Sequence, residues 1–339
     1  MSPVRNVSIR IATVAAAVVC GVLLTSCNKA ETEQALIPEI DGEWWQISGN
    51  PDLGELTGET NQQPVDFGIW KAADGTWQLW SCIRHTKEAG STRLFHGWEA
   101  ENLTDTNWRP TGIKMRADST LGETPGGLQA PFVFEKDGTW QMFYGDWKRI
   151  CRATSTDGKN FTRVIQDGTS MTFGDPDETN SRDPMVLKIG DTYYTYYTAH
   201  PDNRGAVYVR TSTDLETWST STIAAFGGQT GNDKFWYAEC PFVVEYAPGD
   251  YFLFRTQSYG DGLVDPNATV QKTSIYRSPD PTNFGVEDDQ FFLGTLEVAA
   301  PEIVKDGEDW YIAALIPGLT GIRMAKLAWV EDGAIDSDI

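Results

Sequence analysis

The residues of this chain best suited to chemistry are three carboxylates that recur at corresponding places in an internal repeat. Asp183 stands in Arg182-Asp183-Pro184 and Glu239 in Glu239-Cys240-Pro241, each string opening an apolar strand, and Asp66 opens the first repeat. Acids brought together from distant positions suit cleavage of a glycosidic bond, where one group protonates the leaving oxygen while another attacks or activates water. Asp66, Asp183 and Glu239 are therefore the candidate catalytic residues. Around them the sequence offers a substrate shell. Arg182 could hydrogen-bond hydroxyl groups or hold Asp183 ionised. Asp146-Trp147 and Trp236 supply an acid and flat apolar faces, and His85, Gln129 and Glu302 are further polar candidates. Cys240 reads as a small core residue rather than a nucleophile.

The elements that must position these groups follow from the repeat itself. Each unit opens at an anchor, runs through a short apolar strand, turns at Gly and Asp, and resumes with an aromatic strand. The anchors are Asp66, Pro131, Pro184, Pro241 and Pro301, spaced by 65, 53, 57 and 60 residues. The turns include Asp74-Gly75, Asp137-Gly138, Gly190-Asp191, Gly249-Asp250 and Asp306-Gly307. Such turns between strands rich in Val, Ile, Tyr, Phe and Trp spell antiparallel hairpins. A downstream element, Thr154-Ser155-Thr156-Asp157-Gly158 or Thr211-Ser212-Thr213-Asp214, also recurs. The predicted fold is all-β: a single-domain five-bladed β-propeller with four antiparallel strands per blade. In that fold the starts of the innermost strands face one another across one mouth of the central channel.

The Arg-Asp-Pro and Glu-Cys-Pro strings in successive blades resemble the five-bladed glycosidases of glycoside hydrolase family 32 and, more loosely, family 43. The repeat pattern extends from about residue 60 to 328. The resemblance to family 32 implies that Asp66 is the nucleophile, Asp183 the transition-state stabiliser and Glu239 the acid/base. Family 43 would instead make the first-blade aspartate a base for water, with inversion. The first-blade string here is Val65-Asp66-Phe67-Gly68 in place of the fructosidase Asn-Asp-Pro-Asn-Gly. Furanosides or related plant and marine glycans are the substrates implied. Two other readings stay open, a glycoside phosphorylase on the same fold and a surface glycan-binding lipoprotein without catalysis.

The N-terminus carries Arg5 and Arg10 and then an apolar run from Ile11 to Leu24, the length of an export-signal core. Leu24-Thr25-Ser26-Cys27 resembles the bacterial lipoprotein box, which implies lipidation of Cys27 and anchorage on the cell envelope, at the outer membrane. Residues 1–26 are expected to be the signal peptide, 27–41 a lipidated cysteine with a flexible tether, and 42–339 the catalytic propeller. The chain holds 48 acidic against 27 basic residues; without the two arginines of the signal the balance is 48 against 25, or −23. Nucleic acid is not an expected partner, because phosphate binding needs clustered Lys and Arg. Membrane contact is expected through the anchor alone, and the partner is an oligosaccharide or polysaccharide. Cys82, Cys151 and Cys240 make no disulfide framework, and His85, His96 and His200 lie outside zinc-ligand spacing. No cofactor is expected; a structural calcium ion in the channel or between acidic loops stays open, since it would leave no readable signature.

Overall fold

A computed structural model describes residues 36–174, 180–200, 204–228, 234–260 and 269–331. The signal segment, Cys27 and most of the expected tether lie outside the described residues. Between Leu36 and Glu331 the chain forms five antiparallel sheets. The first blade is β2 (Gln63–Lys71), β3 (Trp77–Arg84), β4 (Leu94–Ala100) and β5 (Arg109–Met115). Blade 2 is β6 (Gln129–Lys136), β7 (Thr139–Gly145) and β8 (Ile150–Ser155), with two short outer pieces, β9 (Thr162–Arg163) and β10 (Met171–Phe173), both paired to β8. Blade 3 is β11 (Arg182–Ile189), β12 (Thr192–Ala199), β13 (Ala206–Ser212) and β14 (Thr222–Ala225). Blade 4 is β15 (Glu239–Ala247), β16 (Asp250–Tyr259), β17 (Gln271–Ser278) and β18 (Phe292–Leu296). Blade 5 takes β19 (Glu302–Asp306), β20 (Asp309–Leu315) and β21 (Gly321–Glu331) from the end of the chain and its outer strand, β1 (Leu36–Gly49), from the beginning. The five-bladed propeller expected from the repeat is the fold observed.

Residues 36–41 depart from the expected tether. Leu36 to Asp41 pair in register with Glu331 to Lys326, so these six residues before Gly42 belong to the sheet. Without this strand β21 would present an unpaired edge; closing the ring with the other end of the chain removes it.

The hairpin turns and the downstream element have direct physical causes. Asp74 Oδ1 accepts from the Thr76 amide at 3.1 Å, closing the Asp-Gly turn of blade 1. Ser155 Oγ accepts from the Gly158 amide at 2.9 Å, and Ser212 Oγ does the same for Leu215 at 2.8 Å, so the recurring serine ends the third strand in blades 2 and 3. Adjacent blades are pinned by indoles. Trp70 Nε1 donates to the Gly158 carbonyl at 2.7 Å inside the interface, and Trp140 Nε1 donates to the Lys71 carbonyl at 2.9 Å at its exposed edge.

Every innermost strand begins with the same irregularity. Asp66, Ala130, Asp183, Cys240 and Ala300 all have positive φ, between 32° and 54°, although none is glycine. Each precedes Phe67 or a proline, and in blades 1 to 4 the ladder slips at this point, between Val65 and Phe67, Gln129 and Phe132, Arg182 and Met185, and Glu239 and Phe242. A bulge with a left-handed residue re-aims side chains, and strain of this kind persists only where surrounding structure enforces it. The geometry corrects the repeat by one residue: Asp66 corresponds to Asp183 and Cys240, whereas Glu239 corresponds to Arg182, Gln129 and Val65. Asp183 and Glu239 are therefore not at equivalent positions.

Close approach of the inner strands depends on Gly68, whose added Cβ would lie 2.3 Å from the Pro131 carbonyl oxygen on the next blade. Backbone cannot yield as a flexible side chain does. Gly68→Ala is expected to lower stability by about 1–3 kcal/mol, the usual cost of overpacking. Urea titration checks it, and an unchanged midpoint would contradict the packing argument.

Candidate active site

One cavity of about 370 Å³ is lined by Val65, Asp66, Arg84, Arg93, Gln129, Trp147, Asn180, Arg182, His200, Glu239 and Tyr259. Two structural rules supply most of them. Val65, Asp66, Gln129, Arg182 and Glu239 come from the bulged starts of inner strands; Arg84, Trp147, His200 and Tyr259 come from the ends of second strands or just beyond, which turn back to the same mouth.

The carboxylates form a connected cluster. Asp66 Oδ1 receives the Tyr259 hydroxyl at 3.1 Å and the Cys240 thiol at 3.3 Å. Arg182 donates through Nη2 to Glu239 Oε1 and through Nη1 to the Asn180 carbonyl at 3.2 Å, while its Nε lies 3.6 Å from Asp183 Oδ2. Asp183 Oδ2 also accepts from the Cys240 amide at 3.1 Å. Cys240 thus touches both aspartates, and Arg182 touches both Asp183 and Glu239. Groups drawn from blades 1, 3 and 4 meet at one end of the channel.

Their environments differ. Asp66 and Glu239 face the cavity, whereas Asp183 lines a separate hollow of about 20 Å³ deeper in the channel. Burial pushes the Asp183 carboxyl up to about 7; Arg182 opposes the shift, and Asp66 and Glu239 add to it. Its Oδ1 is buried without a hydrogen-bond partner among the described residues, as suits a carboxyl held near neutrality. Burial likewise raises the Cys240 thiol and the Tyr259 hydroxyl well above their ordinary values, so both remain donors toward Asp66.

The raised Asp183 value has a consequence for stability. An acid whose folded value exceeds its unfolded value binds more protons in the folded state, so its contribution falls as pH rises from about 4 to about 7. Asp183→Asn should remove that descending limb and leave a flatter stability profile over this range. Denaturation midpoints of the two proteins between pH 4 and 8 check it; parallel profiles would contradict the assignment.

A second chain of polar groups runs along the cavity wall. Arg93 Nη1 donates to Gln129 Oε1 at 3.1 Å, Gln129 Nε2 lies 3.5 Å from Asn180 Oδ1, and Asn180 Nδ2 lies 2.9 Å from His200 Nε2. Burial, with Arg182 nearby, lowers His200 to about 4, so the ring is neutral at ordinary pH and Nε2 accepts from the asparagine.

Several expected shell residues lie elsewhere. Asp146 is fully buried, and its oxygens accept from the amides of Thr124 at 2.7 Å and Lys148 at 3.1 Å; it shapes the loop that carries Trp147 instead of facing the cavity. Glu302 lines the deeper hollow with Phe67, Met185 and three prolines, where burial pushes its carboxyl well up. His85 and Trp236 do not line the cavity, and Trp236 packs edge-on against Tyr237 at 6.1 Å. Gln129, Trp147 and Arg182 are where the sequence put them. Arg84, Arg93, Asn180, His200 and Tyr259 complete the lining beyond the expected shell, and three of these five, Arg84, His200 and Tyr259, follow from the second-strand rule alone. Among the described residues no group of three or more His, Cys, Asp and Glu side chains could hold a metal ion.

A five-bladed propeller with a carboxylate-lined mouth is the architecture of propeller glycoside hydrolases. Residues 96–337 match the glycosyl hydrolases family 32 N-terminal domain, and the chain belongs to that family. It is a glycoside hydrolase. The match begins in β4, so it covers Asp183 and Glu239 but not Asp66. Among solved structures, the endo-arabinase from Bacteroides thetaiotaomicron VPI-5482 is similar at TM-score 0.60 and 13% identity, over 84% of this chain and 99% of that one. A thermostable family-43 glycoside hydrolase is similar at TM-score 0.59 and 17% identity, over 85% and 94%. The exo-1,5-alpha-L-arabinanase from a bovine ruminal metagenomic library is similar at TM-score 0.54 and 14% identity, over 80% and 94%. At these identities the likeness is one of fold. No curated protein matches the chain.

Proposed function

We propose that the chain hydrolyses terminal or short-oligosaccharide glycosidic bonds, with Glu239 as general acid, Asp66 as nucleophile and Asp183 as stabiliser beneath them. The observation that carries this reading is the placement of Asp66 and Glu239 on one cavity, tied to Asp183 through Cys240 and Arg182. The cavity volume lies near the lower end for small-ligand sites, which favours a sugar end or short oligomer over a long chain. Hydrogen bonds from Tyr259 and Cys240 to Oδ1 fix the orientation of the Asp66 carboxyl group, as a nucleophile requires. Arg182 is placed to exchange its contact with Glu239 for sugar hydroxyls, freeing Glu239 to carry the proton for the leaving oxygen.

Furanosides of plant or marine glycans are the favoured substrates, on the strength of the strings around Asp183 and Glu239 and of structural neighbours named for arabinan cleavage. Incubation with a panel of aryl glycosides and oligosaccharides, followed by chromatography of released sugar, tests the reading. Release of a monosaccharide or short oligomer is expected; tight glycan binding with no release would instead support a binding protein.

The same proposal places the protein on the bacterial cell envelope, exported and lipid-anchored through Cys27, at the outer membrane. Cys27→Ser is expected to move the protein from the membrane to the soluble fraction, and unchanged fractionation would remove the anchor from the account.

A further inference from the structure

The cavity's three arginines are committed to different degrees. Arg182 is held by Glu239, Asp183 and the Asn180 carbonyl. Arg84 donates through Nε to Gln63 at 2.9 Å. Arg93 donates through Nη1 to the neutral amide of Gln129 at 3.1 Å and lies 4.0 Å from Cys82 Sγ, and it makes no ion pair with a carboxylate among the described residues.

The structure nonetheless builds a firm seat for Arg93. Its guanidinium lies over the Trp147 ring, 4.7 Å from the centroid. Trp147 itself is held at φ 73° by the loop that Asp146 ties down. A Cβ on Gly127 would lie 2.9 Å from Trp147 Cδ1, so this close approach needs glycine. The Arg93 amide donates to the Gly126 carbonyl at 2.9 Å, fixing its backbone to the segment that carries Gly127. The groups that follow along the wall, Gln129, Asn180 and His200, are neutral. A positive charge is thus fixed on one wall of a sugar-sized cavity, in a chain whose net charge is −21, with no carboxylate assigned to it there.

We propose that the Arg93–Trp147 wall receives an anionic substituent of the substrate, the carboxylate of a uronic acid or the sulfate ester of a sulfated sugar. A planar guanidinium matches either group with two parallel N–H donors, and the indole beneath it keeps the fork flat and offers an apolar edge to sugar C–H groups. A neutral sugar would offer only hydroxyls to a charged donor. The inference rests on the reading of this cavity as a glycan site and adds the class of glycan that it takes.

The test uses the Glu239→Gln protein, so that bound glycosides persist, and measures affinity by calorimetry. The probes are nitrophenyl glucuronide, galacturonide and sulfated galactoside beside nitrophenyl glucoside and galactoside. At least one anionic probe should bind about 10- to 100-fold more tightly than its neutral counterpart, as expected for a charge-assisted hydrogen bond of about 1.5–3 kcal/mol. The uronide and sulfate arms identify which anion is preferred. Adding Arg93→Gln should erase the advantage, and rising salt should weaken the anionic probes selectively in the Arg93 protein. Should Arg93→Gln fail to fold, Arg93→Lys keeps the charge without the fork and should retain only part of the advantage.

An anionic advantage that survives Arg93→Gln would overturn the inference. So would neutral probes that bind as well as every anionic one, an outcome that leaves the proposed function standing. Phosphate-dependent release of a sugar phosphate by the parent protein would assign the charge to inorganic phosphate and overturn it too. If none of the probes binds, the inference falls, while sugar release from the wider glycoside panel decides the proposed function separately.

Discussion

Glu239→Gln is expected to lower turnover by about 100- to 10,000-fold, the usual worth of a general acid, while leaving the fold and substrate affinity nearly intact. The amide keeps the shape of the carboxyl and can still accept from Arg182 Nη2, but it has no proton to give to the leaving oxygen. The loss should therefore fall on kcat. It should also depend on the leaving group, being greatest for poor ones that need protonation and least for activated aryl groups. Activity within a few-fold of wild type on a substrate with a poor leaving group would remove Glu239 from the acid role. A large rise in KM with kcat preserved would make it a binding residue instead.

Asp66→Asn is expected to cost at least as much, again on the order of 100- to 10,000-fold, and to spare no class of leaving group. An amide cannot attack an anomeric carbon, so better leaving groups bring no recovery. The Tyr259 and Cys240 donors would now meet either an amide oxygen or an amide N–H, and the second orientation leaves a buried donor facing donors. Tyr259→Phe should produce a smaller loss, since it removes one of the two donors and leaves the carboxylate in place. Steady-state kinetics on the same substrate separate the cases. An Asp66→Asn protein that keeps good leaving groups turning over would place the attacking group elsewhere.

The architecture was legible because each hairpin announces itself through an Asp-Gly or Gly-Asp turn beside aromatic strands. The one-residue error in the anchors has a simple origin. Phe67 stands where the other four blades carry proline, so the sequence pattern sets Asp66 beside the prolines although it belongs with Asp183 and Cys240. Positive φ at five non-glycine residues has no letter code, and it is this bulge that turns Glu239 and Arg182, one position earlier, into the cavity. The polar shell is less legible for a similar reason. Choosing Asp146 beside Trp147, or His85 beside Arg84, depends on which of two adjacent side chains faces the mouth, and strand alternation can be counted only once the register is known. Tyr259 could have been found by asking what ends the second strand of blade 4. Arg93 and Asn180 had no such signal, since their place depends on loops meeting from neighbouring blades. Residues 36–41 looked like tether because of their acids and lack of aromatics, yet the closing strand needs only backbone pairing and alternating Leu36, Pro38 and Ile40 against β21.

Asp66 and Glu239 must act together on one glycosidic bond. Proton NMR of the first-formed product of hydrolysis, recorded before mutarotation, tests this most directly. The predicted result is a free sugar with the anomeric configuration of the substrate, appearing with wild type and absent with Asp66→Asn, because two successive displacements at carbon restore the configuration. A product of opposite configuration would recast Asp66 as a base for water, and the same product from Asp66→Asn at an undiminished rate would contradict the site altogether.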